Sequence, residues 1–308
     1  MQELVRELAL ALREQVLPQL GSHAGRAHEE EAGARGDLTF AIDRAAELTL
    51  ERFIAERAPE LAFYSEDRGL VGAGGATTVL VVDPIDGTRP ALAGLESCCV
   101  SVAAAPLPNP TMGDVRLACV VEIPSGAVFL AERDAGFLEG PPVRLSRNES
   151  LRRMFWTYGF RGRPARPTVE VIGDLIDASS VAGAAFELGS AAFDMTRIVT
   201  GQLDAYVEPG PLLVEEVPGM RAEFERVGGG AVLNNSPYDL AAATLILEEA
   251  GALVTDARGR SLADRPLLGS GPQFQMSVVA AANQGLHRQL LEAVDAGIRR
   301  VPGSVQAR

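Results

Sequence analysis

The chain has 308 residues, 47% of them hydrophobic and 22% charged, with 28 Lys and Arg against 41 Asp and Glu for a net charge of -13. This composition excludes a disordered chain, and its acidic surface repels nucleic-acid backbones and anionic membranes, so a polyanionic substrate needs bound cations to approach. Cys98, Cys99 and Cys119 make no disulfide framework and point to a reducing compartment, and His23, His28 and His287 lack zinc-ligand spacing, so a metal held here is expected to be hard and oxygen-bound.

The opening MQELVRELALALREQ puts Val5, Leu8, Leu12 and Val16 on one helical face. Its acidic residues and broken apolar run do not read as a secretory leader, and no run is long enough to span a bilayer. A cytoplasmic location is the expectation. A polar loop, AHEEEAGARG, precedes a second helix from Ile42 through Ala46, Leu50, Phe53 and Ile54, followed by a short strand, LAFYSE, that delivers Glu66 to a loop. After GLVGAGGATT comes VLVVDP, a continuous apolar run of buried-strand type, then the abrupt DGTRP and the strand-like CCVSVAAA, RLACVVEI and AVFLAE.

The first region, residues 1–148, thus reads as two helices and a largely antiparallel sheet. The second, residues 149–308, alternates: strand MFWTYGF, helix TVEVIGDLIDA, strand VAGAAFEL, helix SAAFDMTRIVTG, strand LDAYVE, helix PYDLAAATLILEEA, strands ALVTDA and SVVAAA, helix QGLHRQLLEAVDAGIRR. The fold class is α/β, with an α+β first half. Between Glu208 and Pro237 the Gly- and Pro-bearing segment with EEVPGMRAEFERVGGG reads as a surface excursion or flap.

The sharpest chemical signal is Asp83-Pro84-Ile85-Asp86-Gly87-Thr88, where a buried strand ends. Carboxylates at i and i+3 on a strand-exit turn can converge on hard cations, because Pro84 fixes one dihedral and Gly87 permits the next turn. Gly87 and Thr88 then offer backbone N–H groups and a hydroxyl to a phosphate at the start of a short helix. The bland alternative is that both Asp residues only cap a turn.

This string, with Ser65-Glu66-Asp67 upstream and Pro237-Tyr238-Asp239-Leu240-Ala241-Ala242 downstream, resembles the inositol monophosphatase family, which includes fructose-bisphosphatases and phosphoadenosine-phosphate phosphatases. Gly36-Asp37-Leu38-Thr39 leading to Asp43, Gly189-Ser190-Ala191-Ala192, and Leu203-Asp204-Ala205-Tyr206-Val207-Glu208 extend the resemblance. It implies a layered αβαβα sandwich and a magnesium-dependent, lithium-sensitive phosphomonoesterase, with relatives often homodimers. By the same resemblance, Glu66, Asp83 and the Ile85 carbonyl hold one Mg2+, and Asp83, Asp86 and Asp239 a second. A third, weaker site lies near Glu66 and Asp43.

The implied reaction is in-line attack by a metal-activated water, with Glu66 and Thr88 orienting or accepting its proton and no phosphoenzyme. Asp86, Gly87 and Thr88 face the phosphate, while Glu208, Asp239 and the turn Gly189, Ser190, Ala191 match positions that read substrate hydroxyls. Each has a structural alternative: Asp239 completes a capping box with Ser236, Asp43 favours its helix dipole, Ser190 is an ordinary N-cap, Glu66 sits in a solvated loop pair, and Glu208 is a strand-end charge.

A sugar or polyol phosphate, of inositol monophosphate or fructose 1,6-bisphosphate type, is the expected substrate. The alternatives are 3'-phosphoadenosine 5'-phosphate, histidinol phosphate, or a non-catalytic sensor or structural subunit that binds metal or sugar phosphate. Departures from the family pattern cluster on the leaving-group side: Arg89-Pro90 after Thr88, Tyr238 where Trp is usual, Phe186 where Arg is common, and the long 209–235 segment. A haloacid-dehalogenase reading of Ile85-Asp86-Gly87-Thr88 fails because Pro84 stands where its nucleophilic carboxylate belongs.

Overall fold

The computed structural model describes residues 1–27, 39–72 and 74–302. Arg35 and the Gly36-Asp37-Leu38 part of the upstream motif lie outside the described residues.

Helices α1 (Gln2–Val16) and α2 (Ala41–Arg57) precede the first sheet. Its strands are β1 (Ala62–Ser65), β2 (Gly69–Val71), β3 (Thr78–Asp86), β4 (Cys99–Pro106), β5 (Leu117–Glu122), β6 (Val128–Glu132) and β7 (Gly136–Glu139), with a short helix α3 (Thr88–Ala93) after β3. Their order is β2-β1-β3-β4-β5-β6-β7, and only β1 and β3 pair in parallel. The other neighbours are antiparallel, with short turns joining β1 to β2, β5 to β6 and β6 to β7, the geometry that hairpins permit.

The second sheet has β8 (Phe155–Tyr158), β9 (Ala184–Phe186), β10 (Ala205–Glu208), β11 (Leu253–Thr255) and β12 (Val278–Ala281) in the order β11-β12-β10-β8-β9. Its central β10 runs parallel to β8 and antiparallel to β12. Between the two sheets lie α5 (Ala191–Val199) and α8 (Pro237–Ala250), and on the outer face of the second lie α4 (Ala165–Ser179) and α9 (Gln284–Arg300).

Burial follows these layers. Val5, Leu8 and Leu12 of α1 close over Leu80, Val100 and Cys119 of the first sheet. The central cluster joins the other face of that sheet, through Val81 and Val120, to Leu245 of α8, Ile198 of α5 and Val278 of the second sheet. The outer cluster packs Val171 and Leu290 against Trp156, Val207 and Val279. The architecture is therefore the expected αβαβα sandwich, and α8 is apolar nearly all round because it is covered on both sides.

The 209–235 segment differs from the expected flap. It forms α6 (Gly210–Glu216) and α7 (Met220–Val227); Leu212 and Leu213 of α6, Val217 between the helices, and Met220 and Phe224 of α7 are buried in the outer cluster. Those apolar residues sit at helical spacing, and burying them outweighs the punctuation by Gly and Pro. Phe224→Ala should destabilise the fold by about 3–5 kcal/mol, as a core truncation does, and a urea midpoint unchanged from wild type would restore the flap reading.

Candidate active site

The carboxylate-bearing turn is built by an irregularity in the sheet. Along β3 the pairing with β4 runs Asp83 to Ser101 and then Asp86 to Cys99, three residues opposite two. Such a bulge resets the side-chain alternation, so residues three apart share a face, and it accommodates Pro84 inside a central strand. The Ile85 amide donates to Asp83 Oδ1 at 3.0 Å and tightens the turn. Gly87 follows at φ +94°, and a Cβ there would lie 2.6 Å from the Ser97 carbonyl oxygen, so only glycine fits.

Three helix starts supply the rest. Asp239, the third residue of α8, accepts from the Ser236 amide at 2.5 Å with Oδ2. The capping-box reading is thus true of one oxygen, while Asp83, Asp86 and Asp239 each place a carboxylate oxygen so that the three atoms lie within 4.8 Å of one another. Asp43, at the same position in α2, accepts from the Phe40 amide at 3.0 Å with Oδ2, and its Oδ1 lies 3.0 Å from the Thr88 hydroxyl. That hydroxyl is also 3.2 Å from the Ile85 carbonyl, so it can donate to either oxygen.

At the start of α5, Ser190 Oγ and the Ala192 amide donate to Asp86 Oδ2 at 2.8 and 2.6 Å. Gly189, at φ +87°, brings the preceding turn against Pro90. Glu66, one residue past β1, lines the same cavity.

The physical consequence is mutual repulsion among acids taken out of water. Burial first, then the neighbouring Asp86, Glu66 and Asp239, pushes Asp83 well above the usual carboxylate range. Burial and then Asp239 lift Asp86 to about 7 against the bonds from Ala192 and Ser190, and burial lifts Asp43 to about 7. Oxygen is the only donor type offered, from carboxylates and the Ile85 carbonyl, which is the coordination that hard divalent cations take. The donor set fits magnesium.

The cavity gathers Asp43, Glu66, Asp83, Ile85, Asp86, Gly87, Thr88, Gly189, Ser190, Ala191 and Asp239, all expected from the sequence. Glu208 is the exception. It is 0% exposed and does not line the cavity; its carboxylate is ion-paired to Arg163 and accepts from the Gly210 amide at 2.7 Å. A carboxylate without water or substrate access needs a cation, and Arg163 takes the place expected of a substrate hydroxyl. Arg163 itself reaches the cavity wall and donates to Asn235 Oδ1 at 3.2 Å, and Asn235 donates to the Tyr206 hydroxyl at 2.7 Å.

Sequence reasoning also missed Glu47 and Asp194. Glu47 is buried one turn after Asp43, accepts from the Ser65 hydroxyl at 2.8 Å and is pushed up to about 7 mainly by burial. The i, i+4 spacing from Asp43 was the available signal. Asp194, 1% exposed in α5, lines the cavity and is raised well above the usual range by burial and Asp86.

The layered sandwich and its carboxylate cluster define a phosphatase. The sequence matches the model of the inositol monophosphatase family over residues 1–299, and the chain belongs to that family. It is 25% identical over 288 residues, 94% of this chain and 93% of the relative, to a fructose-1,6-bisphosphatase/inositol-1-monophosphatase of Aquifex aeolicus. It is 27% identical over 225 residues, 72% of this chain and 73% of the relative, to a Vibrio cholerae protein named Nus factor SuhB. Among solved structures, the inositol monophosphatase of Thermotoga maritima superposes with a TM-score of 0.69 over 96% of both chains at 22% identity. The extragenic suppressor protein SuhB of Bartonella henselae does so with a TM-score of 0.72 at 20% identity, over 96% of this chain and 98% of that one. Among the described residues no helix is long and apolar enough to cross a membrane.

Two outcomes follow from this geometry. Because Asp43 and Asp86 are raised from roughly 4 to about 7, the metal-free folded chain holds protons that the unfolded chain has released across that window. Stability in EDTA should therefore fall as pH rises from 5 to 8, and saturating Mg2+ should flatten the loss; a urea midpoint that does not fall with pH in EDTA would mean ordinary carboxylates. Separately, Arg163→Ala should cost about 3–5 kcal/mol by stranding Glu208, whereas Arg163→Met with Glu208→Gln should recover most of that in the same unfolding assay.

Proposed function

We propose that the chain is a magnesium-dependent phosphomonoesterase that hydrolyses a small sugar or polyol phosphate, of inositol monophosphate or fructose 1,6-bisphosphate type, by direct in-line attack of water. The observation that carries this reading is the convergence of Asp43, Glu66, Asp83, Asp86 and Asp239 in one cavity beside the Gly87-Thr88 turn. The names of the Aquifex and Thermotoga relatives support it.

In this reading Glu66, Asp83 and the Ile85 carbonyl hold one ion, Asp83, Asp86 and Asp239 a second, and Asp43 with Glu66 a weaker third. Bound magnesium supplies the positive charge that keeps these acids ionised, polarises the phosphoryl oxygens and makes water more acidic. The chain supplies position and proton transfer. Gly87 and Thr88 present backbone N–H groups to the phosphoryl oxygens, where donors fixed in place stabilise charge as it redistributes. The Thr88 hydroxyl, bonded to Asp43, orients the attacking water, and Glu66 or Asp43 takes its proton. Ser190 and Ala192 hold Asp86 in place, and the Gly189-to-Ala191 turn faces the leaving group.

A sensor or structural subunit is the non-enzymatic alternative, and the name Nus factor SuhB on one relative keeps it in view. Retention of every expected carboxylate favours turnover. Phosphate release should be followed with and without Mg2+ from inositol 1-phosphate, fructose 1,6-bisphosphate, 3'-phosphoadenosine 5'-phosphate and histidinol phosphate. Magnesium-dependent release, lost by at least about a thousandfold in Asp83→Asn and inhibited by lithium, is expected. Magnesium binding in a calorimeter with no release from any ester would favour the sensor.

A further inference from the structure

Beside the carboxylate cavity, and continuous with it, runs a second and larger hollow. The two share Arg89, Tyr158, Phe160, Arg161, Glu187 and Gly189 as common wall. Beyond that wall the hollow is lined by Pro90, Leu95 and Leu188 and opens to solvent. It lies where α3, the loop after β8 and the turn before α5 meet, beside the Gly87-Thr88 turn.

The two spaces differ in width. The carboxylate cavity is narrow, with about 80 Å³ open to water-sized groups. The neighbouring hollow leaves about 560 Å³. Its walls are also of a different kind: Tyr158 and Phe160 meet edge to face with centroids 5.9 Å apart, Trp156 backs Tyr158 at 5.4 Å, and Leu95 is 57% exposed. Against the apolar and aromatic part of these walls a flat ring gains burial and aromatic contact that a polyol does not. Arg89, held over the Phe40 ring at 5.4 Å, Arg161 and the Glu187 carboxylate complete the lining with charges of both signs.

We propose that this hollow is a leaving-group subsite for a planar ring system, so that the preferred substrates are phosphomonoesters of alcohols that carry such a ring. The inference rests on the phosphomonoesterase reading and replaces its sugar or polyol leaving group with a ring-bearing one. The bond broken is still the ester P–O bond, water supplies the oxygen, and the ring-bearing alcohol leaves with a proton.

The test compares two esters of equal intrinsic reactivity, ethyl phosphate and 2-(naphthalen-2-yl)ethyl phosphate, with Mg2+, following phosphate release by the wild type, Phe160→Ala and Leu95→Ala. The naphthyl ester should have a kcat/KM roughly tenfold or more above the ethyl ester, mainly through KM. Both substitutions should shrink that ratio severalfold, and Leu95→Ala, which lies outside the carboxylate cavity, should leave ethyl phosphate hydrolysis unchanged; both positions are partly exposed, so the fold should tolerate them. Equal kcat/KM for the two esters, or a ratio untouched by Phe160→Ala, overturns the subsite. So does a Leu95→Ala variant whose sedimentation changes while its ester ratio does not, which would make the hollow a contact between copies. Absence of release from both esters and from inositol 1-phosphate and fructose 1,6-bisphosphate would instead overturn the phosphomonoesterase reading itself.

Discussion

The structure is organised around one costly arrangement, the burial of several carboxylates within reach of one another. Asp83 and Asp86 are nearly inaccessible and Asp239 is only partly exposed; Asp86 and Asp239 raise the proton affinity of Asp83, and Asp239 raises that of Asp86. Acids brought together in this way either keep protons or hold cations, and no compact fold adopts the arrangement without rigid support on every side. Much of the local geometry can be understood as that support. The bulge turns two side chains to one face, and the helix starts of α2, α5 and α8 bring amide donors and the positive ends of their dipoles to the same place.

The support is economical because each carboxylate serves twice. One oxygen of Asp43 closes the start of α2 while the other meets Thr88, and one oxygen of Asp239 closes α8 while the carboxylate also faces Asp83 and Asp86. Asking whether such a residue is a cap or a ligand therefore poses a false choice. The cap bond fixes the rotamer, and a fixed rotamer is what a ligand or proton acceptor requires. Glu208 shows the contrasting outcome, in which both carboxylate oxygens face protein donors, Arg163 and the Gly210 amide, and none faces the cavity.

What the sequence made legible divides along physical lines. The layers could be read because each element has a strong apolar pattern: period 3.6 in α1, continuous in β3, nearly all round in α8. The Asp83-to-Thr88 turn could be read because backbone constraint and charge coincide within six residues. The destination of Glu208 could not, since Arg163 lies 45 positions away on a different loop and pairs with it only once β8 and β10 lie side by side. The 209–235 segment was misread because its Gly and Pro residues are conspicuous, whereas the apolar spacing of α6 and α7 shows its meaning only when an outer sheet face is there to cover. The hollow beside the site was equally invisible, because Leu95, Phe160 and Leu188 are ordinary apolar residues until three loops bring them together.

The central layer ties these parts into one device. Asp86 leaves the first sheet and takes its two donors from Ser190 and Ala192 at the head of α5, so the start of that helix is tied to the buried carboxylate. Both bonds end on the one oxygen, Oδ2. The turn just before α5 carries Leu188 and Gly189, and Gly189 packs on Pro90 where it forms a wall common to both cavities. The residues that seat the buried carboxylate thus also set the wall against which a leaving group would rest.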